Sequence, residues 1–180
     1  MVINESNLNR FVRRNIMDCS DSGITRIEFI PDGITHLYCE MNSLTELPPI
    51  PDSVIALYCE NNYLTELPKI PNGLKMLHCG HNNLSKISFS DNLLELDCEN
   101  NHLFKLPEFP DSLDYLRCND NYLTELPKLP KKLEYIYCEG NQLDSYPLSP
   151  TDWDWVKKYN DNLHRKRVLN NIKKKFDDIL

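Results

Sequence analysis

The chain has 180 residues, with 20 Lys and Arg against 27 Asp and Glu for a net charge of −7, and it carries seven Cys, twelve Pro and only five Gly. That length suits one domain, or two at most. With 41% hydrophobic and 26% charged residues, the composition excludes both a disordered acidic tail and a membrane protein. No apolar run approaches the roughly 20 residues that span a bilayer. The opening MVINESNLNRFVRRNIMD lacks a continuous apolar stretch and a small-residue cleavage site, so no signal peptide or lipid anchor is read there. An odd cysteine count without a secretion signal points to a reducing, intracellular compartment.

From the N-terminus, Leu8, Phe11, Val12 and Ile16 follow the i, i+3, i+4, i+8 spacing of an amphipathic helix, with Ser6 or Asn7 as N-cap. Residues 1–16 are therefore expected to form a helical cap. From Met17 the chain becomes periodic: Cys19, Cys39, Cys59, Cys79, Cys98, Cys118 and Cys138 recur every 20 residues, with one step of 19. A fixed period of this size is the mark of a solenoid. Two residues before each Cys stands Met17, Leu37, Leu57, Leu77, Leu96, Leu116 or Ile136. Three after it stands Ser22, Asn42, Asn62, Asn82, Asn101, Asn121 or Asn141, and five after it Ile24, Leu44, Leu64, Leu84, Leu103, Leu123 or Leu143.

Each unit reads L-x-C-x-x-N-x-L-t-x-L-P-x-[IL]-P-x-x-[LV]. The period-2 segment L-x-C predicts a short parallel strand whose Leu and Cys face inward. The Asn turns the chain out of the strand; its amide both donates and accepts, so a stacked column can satisfy turn groups hidden from water. The L-P-x-[IL]-P segment returns along the convex side in an extended, polyproline-like form, since proline fixes φ and biases its predecessor away from helix. The fourth unit, LHCGHNNLSKISFSDNLLE, is one residue short and lacks both prolines, which predicts a local kink near Ser88–Asn92.

The motif resembles the leucine-rich repeat LxxLxLxxNxL, in the short, 20-residue form found in type III secreted effectors of enteric bacteria and in proteins encoded by giant DNA viruses. The resemblance covers residues 17–148, and it implies seven repeats in a curved parallel-sheet solenoid that binds other proteins on its concave face. Many bacterial members carry a ubiquitin-ligase domain after the repeats. The residues following Pro147 are too few for one, so a role as substrate adaptor for ubiquitin machinery rests on that resemblance alone.

Beyond the repeats, Ser149-Pro150-Thr151-Asp152 reads as a helix start, with Pro at N1 and a carboxylate at N3. Trp153, Trp155, Val156 and Tyr159 supply apolar bulk just after it. A second helical stretch carries Val168, Leu169, Ile172, Phe176 and Ile179 or Leu180 on one face. Residues 149–180 are expected to form a helical cap that covers the otherwise exposed end of the stack. Charge divides with these parts: residues 17–150 hold 9 basic and 21 acidic side chains, net −12, against net +2 for residues 1–16 and net +3 for residues 151–180. His164-Arg165-Lys166-Arg167 and Lys173-Lys174-Lys175 invite a nucleic-acid or anionic-membrane reading, weighed against a solvated outer face of the capping helix; the acidic body would repel phosphate and favours the latter.

No Ser/His/Asp or Cys/His arrangement, glycine-rich phosphate loop, HExxH or CxxC motif is present; a metal site could be built from His78, His81 and His102 near Asp97 and Glu99, but these belong to different lateral columns with no fixed spacing, so the sequence implies no enzyme, no cofactor and no metal site. Inward-facing cysteines belong to the core, where burial raises the thiol pKa and removes access. Neighbouring parallel strands about 4.8 Å apart give poor disulfide geometry. The outward positions are more telling. Between Leu and Cys stand Asp18, Tyr38, Tyr58, His78, Asp97, Arg117 and Tyr137; after Cys stand Glu40, Glu60, Gly80, Glu99 and Glu139, with His81 one further on and Tyr63 and Tyr122 at the strand exits. Tyrosines offer large contact area with few rotatable bonds, and the carboxylates would steer a basic partner. Solvent-facing positions also drift to polar residues without any such role. The expectation is a monomeric, non-catalytic module binding a basic protein or peptide through Tyr38, Glu40, Tyr58, Glu60, Tyr63, His78, His81, Asp97, Glu99, Arg117, Tyr122, Tyr137 and Glu139.

Overall fold

The computed structural model describes residues 1–147 and 149–177, with the side chains of the last helix described as far as Lys166. Six three-residue strands repeat along the chain, β5 (His36–Tyr38), β6 (Ala56–Tyr58), β7 (Met76–His78), β8 (Glu95–Asp97), β9 (Tyr115–Arg117) and β10 (Tyr135–Tyr137). They follow β1 (Val2–Ile3), β2 (Val12–Arg13), β3 (Ile16–Asp18) and β4 (Arg26–Ile27), and precede the helix α1 (Trp153–Asp177). The principal sheet has the order β10-β9-β8-β7-β6-β5-β3-β2 and is parallel except for its last pair. Every neighbouring pair of repeats is in register on the central residue, as in Leu37↔Leu57 and Leu96↔Leu116. The solenoid expected from the period is therefore present.

Each strand begins one residue ahead of the motif's Leu, so that Leu is its centre and points inward with the following Cys. Both columns are sealed from water. Full burial of one such Leu is worth roughly 1.5–3 kcal/mol, and stacking makes the apolar core continuous from repeat to repeat. The return segments hold no helix among the described residues and end in a tight turn set by proline, with Val54 N–H donating to Pro51 O at 3.0 Å and Leu113 N–H to Pro110 O at 3.1 Å.

The asparagine column closes the other side. Asn62 Nδ2 donates to the carbonyls of Cys39, Cys59 and Glu60 at 2.9–3.3 Å, while its Oδ1 accepts Leu44 N–H at 2.9 Å. The same set recurs from Asn42 to Asn141. Immediately before each Asn, the chain passes through positive φ, at Met41 (56°), Asn61 (55°), His81 (52°), Asn100 (51°), Asp120 (51°) and Gly140 (67°). That conformation is costly for most L-residues and easiest for Gly, Asn and Asp, which explains the bias of this column.

The short fourth unit keeps the sheet intact: Met76↔Glu95 and Leu77↔Leu96 pair in the common register. The deletion is taken up between Ile87 and Ser90. Ser90 stands where other units have proline, keeps the turn through Leu93 N–H to Ser90 O at 3.3 Å, and donates its hydroxyl to Leu74 O at 2.5 Å. Phe89 stacks on Phe109 with centroids 6.0 Å apart and fills the space. The irregularity near Ser88–Asn92 is thus local to the return segment.

The N-terminal cap differs from the expected helix. Residues 1–16 form β1, a single 3-10 turn at Leu8–Arg10 and the β2–β3 hairpin, whose turn uses Arg14 at φ 57°. Two causes compete with helix. Asn4 and Asn7 turn their side chains onto the local backbone, Asn7 Oδ1 accepting Asn4 N–H at 3.0 Å and Asn4 Oδ1 accepting Ser6 N–H at 3.0 Å. The outer edge of β3 also needs a hydrogen-bonding partner, which β2 supplies. Phe11 is buried in the core as the apolar spacing suggested, whereas Ile16 is exposed.

At the other end, one continuous helix replaces the two expected stretches, and it starts three residues late. Asp152 is the N-cap, its Oδ1 accepting Trp155 N–H at 2.9 Å. Val156 and Leu163 are buried against the last repeat, and Trp155 stacks on Tyr159 at 5.0 Å. Tyr159 OH accepts Leu126 N–H at 2.6 Å and donates to Leu126 O at 2.7 Å; the Asn160 amide does the same for Leu129, both bonds at 2.9 Å. These two side chains satisfy backbone groups on the return segment of the sixth repeat. Trp153 stays 45% exposed and is not part of the seal. The side chains of Arg167, Val168, Leu169, Ile172, Lys173–Lys175 and Phe176 lie outside the described residues, as do Ile179 and Leu180.

Candidate binding surface

Three outward columns form the concave face. The column before Cys contains Tyr38, Tyr58, His78, Asp97, Arg117 and Tyr137, paired rung by rung through the sheet register. Parallel in-register strands hold successive side chains about 4.8 Å apart, and the rings use that spacing directly. Tyr38 and Tyr58 stack at 4.8 Å and 9°, and His78 follows at 4.8 Å with a 59° tilt. A second column escaped the sequence reading: Ile16, His36, Ala56, Met76, Glu95, Tyr115 and Tyr135, on the far side of each central Met, Leu or Ile, with Ala56 alone among them buried. Strand alternation extended by one step would have found it. Tyr115 packs against both Tyr135 and Tyr137, at 6.3 and 6.0 Å, and Tyr58 OH meets Met76 Sδ at 3.5 Å.

The third column follows each Cys, with Glu40, Glu60, Gly80, Glu99, Asn119 and Glu139 in sequence, and its members differ sharply in their partners. Arg117 reaches back one repeat, with Nε 2.8 Å from Glu99 Oε2 and Nη1 3.5 Å from Asp97 Oδ2. His81 Nε2 adds a contact to Glu99 Oε1 at 3.1 Å. Gly80 makes this possible: a Cβ there would sit 3.1 Å from Asp97 Oδ1 and 3.2 Å from Glu99 Cγ, so its bareness lets both carboxylates fold over the backbone. By contrast, Glu40 Oε2, Glu60 Oε2 and Asn119 Oδ1 are shielded from water and lack a hydrogen-bond partner. His78 occupies toward Glu60 the place Arg117 has toward Glu99, but its Nε2 turns to Glu95 Oε2 at 3.5 Å, too long for a good hydrogen bond.

The electrostatics follow from that shortage of cations. Burial, reinforced by the charges of Glu40 and Asp97, pushes the Glu60 carboxyl up to about 7. Glu40 is raised above the ordinary carboxylate range by burial and by Asp18, with the protein's own backbone N–H and His78 opposing. Burial also raises the Tyr58 and Tyr115 hydroxyls.

Not every expected site residue joins this surface. Tyr63 and Tyr122 stand at the strand exits, and Tyr122 stacks sideways on Phe104 at 5.2 Å and His102 at 5.8 Å, so the ring faces the lateral surface. Phe104 is 64% exposed and stands in a column otherwise occupied by Thr25, Thr45, Thr65, Ser85, Thr124 and Asp144. His78, His81 and His102 go to three different partners.

No family model and no curated protein sequence matches the chain. Solved structures do. YopM from Yersinia enterocolitica superimposes with a TM-score of 0.72 at 32% identity, over 77% of this chain and 31% of that one. A Shigella effector LRR domain gives 0.70 at 32% identity over 81% of this chain and 66% of that one. The leucine-rich effector protein YopM from Yersinia pestis gives 0.70 at 33%, over 81% and 42%. The chain is a leucine-rich repeat protein. It spans between about a third and two thirds of the length of these effector structures.

Two features distinguish this leucine-rich repeat protein's chemistry from its scaffold. All seven Cys are free and buried, and burial drives each thiol pKa up, to about 12 at Cys19 and Cys138 on the outer repeats. They act as small apolar side chains. On the cap, Lys166 Nζ is held by Asp144 Oδ2 at 2.7 Å, while His164 and Arg165 are exposed. No helix among the described residues is long and apolar enough to cross a membrane.

Proposed function

We propose that this leucine-rich repeat protein is a non-catalytic interaction module whose concave face binds a basic protein or peptide. The observation that carries this reading is the pairing of stacked Tyr38 and Tyr58 with two shielded carboxylates, Glu40 and Glu60, that have no cation of their own. Rings pre-stacked by the sheet lose little entropy on contact with a partner, and unpaired acceptors gain hydrogen bonds there. Tyr115, Tyr135 and Tyr137 extend the aromatic surface toward the C-terminal end. Likeness to effector repeat domains supports action inside a cell on a protein partner.

The test is a triple change of Tyr38, Tyr58 and Glu60 to Ala in a pull-down from the native cell. Partner recovery is expected to fall at least tenfold while the thermal midpoint moves only slightly, because all three side chains lie outside the apolar core. Undiminished recovery would remove the concave face from the reading.

A further inference from the structure

The third concave column contains an internal template for its own ligand. Where a guanidinium is present, at Arg117, it grips the carboxylates one repeat earlier, Glu99 at 2.8 Å and Asp97 at 3.5 Å. At the equivalent step after Glu40 stands Tyr58, after Glu60 His78, and after Asn119 Tyr137. Those three acceptors are the ones in this column with a shielded, unpartnered side-chain oxygen. Buried acceptors in native proteins are rarely left so, and each destabilises the free protein while unpaired. The shortfall falls on one open sheet face and is matched in charge by a cationic donor.

Resting on the reading of the concave face as a docking surface, we propose that a partner segment lays arginine side chains over Glu40 and Glu60, as Arg117 lies over Asp97 and Glu99, and that docking expels a proton to solvent. The balance is simple. The carboxylic acid of Glu60 gives its proton to water or buffer, the carboxylate pairs with the incoming guanidinium, and no other bond changes. Arginine suits the place better than lysine because its planar fork can meet two oxygens and stack on Tyr58 or Tyr38.

The groups facing the pair set the direction. Glu60 is faced by Glu40, by Asp97 from β8 and by its own backbone N–H; Glu40 is faced by Asp18 from β3 and His78 from β7. The thiols of Cys39, Cys59 and Cys79 lie beneath and stay neutral. The Tyr38 and Tyr58 rings border the pair, and Glu95 is drawn to His78. Burial, reinforced by Glu40 and Asp97, disfavours the charged form of Glu60, so a proton there is held near neutral pH until a cation arrives.

The experiment uses the full chain and a defined probe, the blocked peptide Arg-Gly-Arg-Gly-Arg, with its citrulline counterpart as the neutral isostere. Calorimetry in 0.15 M salt, in two buffers of different ionisation enthalpy, counts protons. With Glu60 titrating near pH 7, affinity is expected to rise roughly tenfold between pH 6 and 8, with proton release at pH 7. Glu60→Gln should flatten the pH dependence below twofold, Glu46→Gln on the exposed lateral face should keep it, and the citrulline peptide should not bind. His78→Arg supplies the guanidinium internally and should lower the Glu60 carboxyl 13C titration midpoint by at least one pH unit. Binding with no proton release, or with pH dependence surviving Glu60→Gln, would overturn the inference while leaving the docking reading standing. No binding of the arginine peptide at either pH would overturn both.

Discussion

Replacing Asn82 by Ala isolates what the asparagine column contributes. Its amide makes four hydrogen bonds: Nδ2 to the carbonyls of Cys59, Cys79 and Gly80 at 3.0, 3.1 and 3.2 Å, and Oδ1 from Leu64 N–H at 2.9 Å. The carbonyls are insured. Cys59 O also accepts from Asn62, Cys79 O from Asn101, and Gly80 O from Asn61 N–H. Leu64 N–H has no such second partner in this column, and it is buried with the 6% exposed Asn82. One orphaned buried donor costs about 1–3 kcal/mol, and the weakened carbonyl network and lost packing bring the expected destabilisation to about 2–4 kcal/mol. At the stack's end, Asn141 is half-buried, and its replacement by Ala should cost about half as much. Asn82→Asp, which keeps the acceptor but puts a charge where the three donations were, should be worse than Ala at pH 7. Urea unfolding followed by far-UV circular dichroism measures all three. An Asn82→Ala unfolding free energy within about 1 kcal/mol of the parent's, at unchanged m-value, would refute the idea that this side chain satisfies the turn.

Glu60→Gln should leave stability unchanged at pH 4.5 and raise it at pH 8. The folded carboxyl titrates near 7, above its ordinary value of 4.5, so the penalty for ionising it in place is absent below the lower value and complete above the upper. The gain at pH 8 is about 1–2 kcal/mol after allowing for the part of the side chain that water reaches, and thermal melts at the two pH values would show it. Tyr159→Phe removes both bonds to Leu126; a loss of about 1–2 kcal/mol is expected in chemical unfolding, whereas no change would mean the helix is not the seal described. The seven thiols should be silent toward an aromatic disulfide reagent at pH 8 in the folded protein and should all react in urea. Rapid labelling of a central thiol such as Cys79 would contradict an inward column.

The repeat architecture was legible because one physical constraint recurs along seven units: an inward apolar residue and Cys, a turning Asn in all but the first, and a proline on the return in all but the fourth. Repetition makes each column its own control, so the inward positions and the outward columns on either side of each Cys could be assigned residue by residue. The N-terminal segment had no such support. Its three-residue apolar spacing fits a helix, but Asn4, Asn7 and the open edge of β3 are tertiary and local competitors that spacing does not register. At the C-terminus, Ser149-Pro150 imitates a helix start, yet Ile136 N–H donates to Pro150 O at 2.8 Å, so this stretch extends the sheet edge before Asp152 begins the helix. On the concave face the residue types were readable and their pairing was not. The string shows Arg117 at the step after Glu99 and His78 at the same step after Glu60, but not that Arg117 turns onto Glu99 while His78 turns to Glu95.

Docking on the concave face is tested most directly by the tyrosines themselves. With ring-labelled Tyr, saturation with the captured partner is expected to shift the NMR signals of Tyr38 and Tyr58, with smaller effects at Tyr115 and Tyr137, and to leave Tyr146 and Tyr159 unmoved at the capped end. Shifts confined to Tyr146 and Tyr159, or to Tyr122 beside Phe104, would show that the partner sits elsewhere and would contradict the proposed binding face.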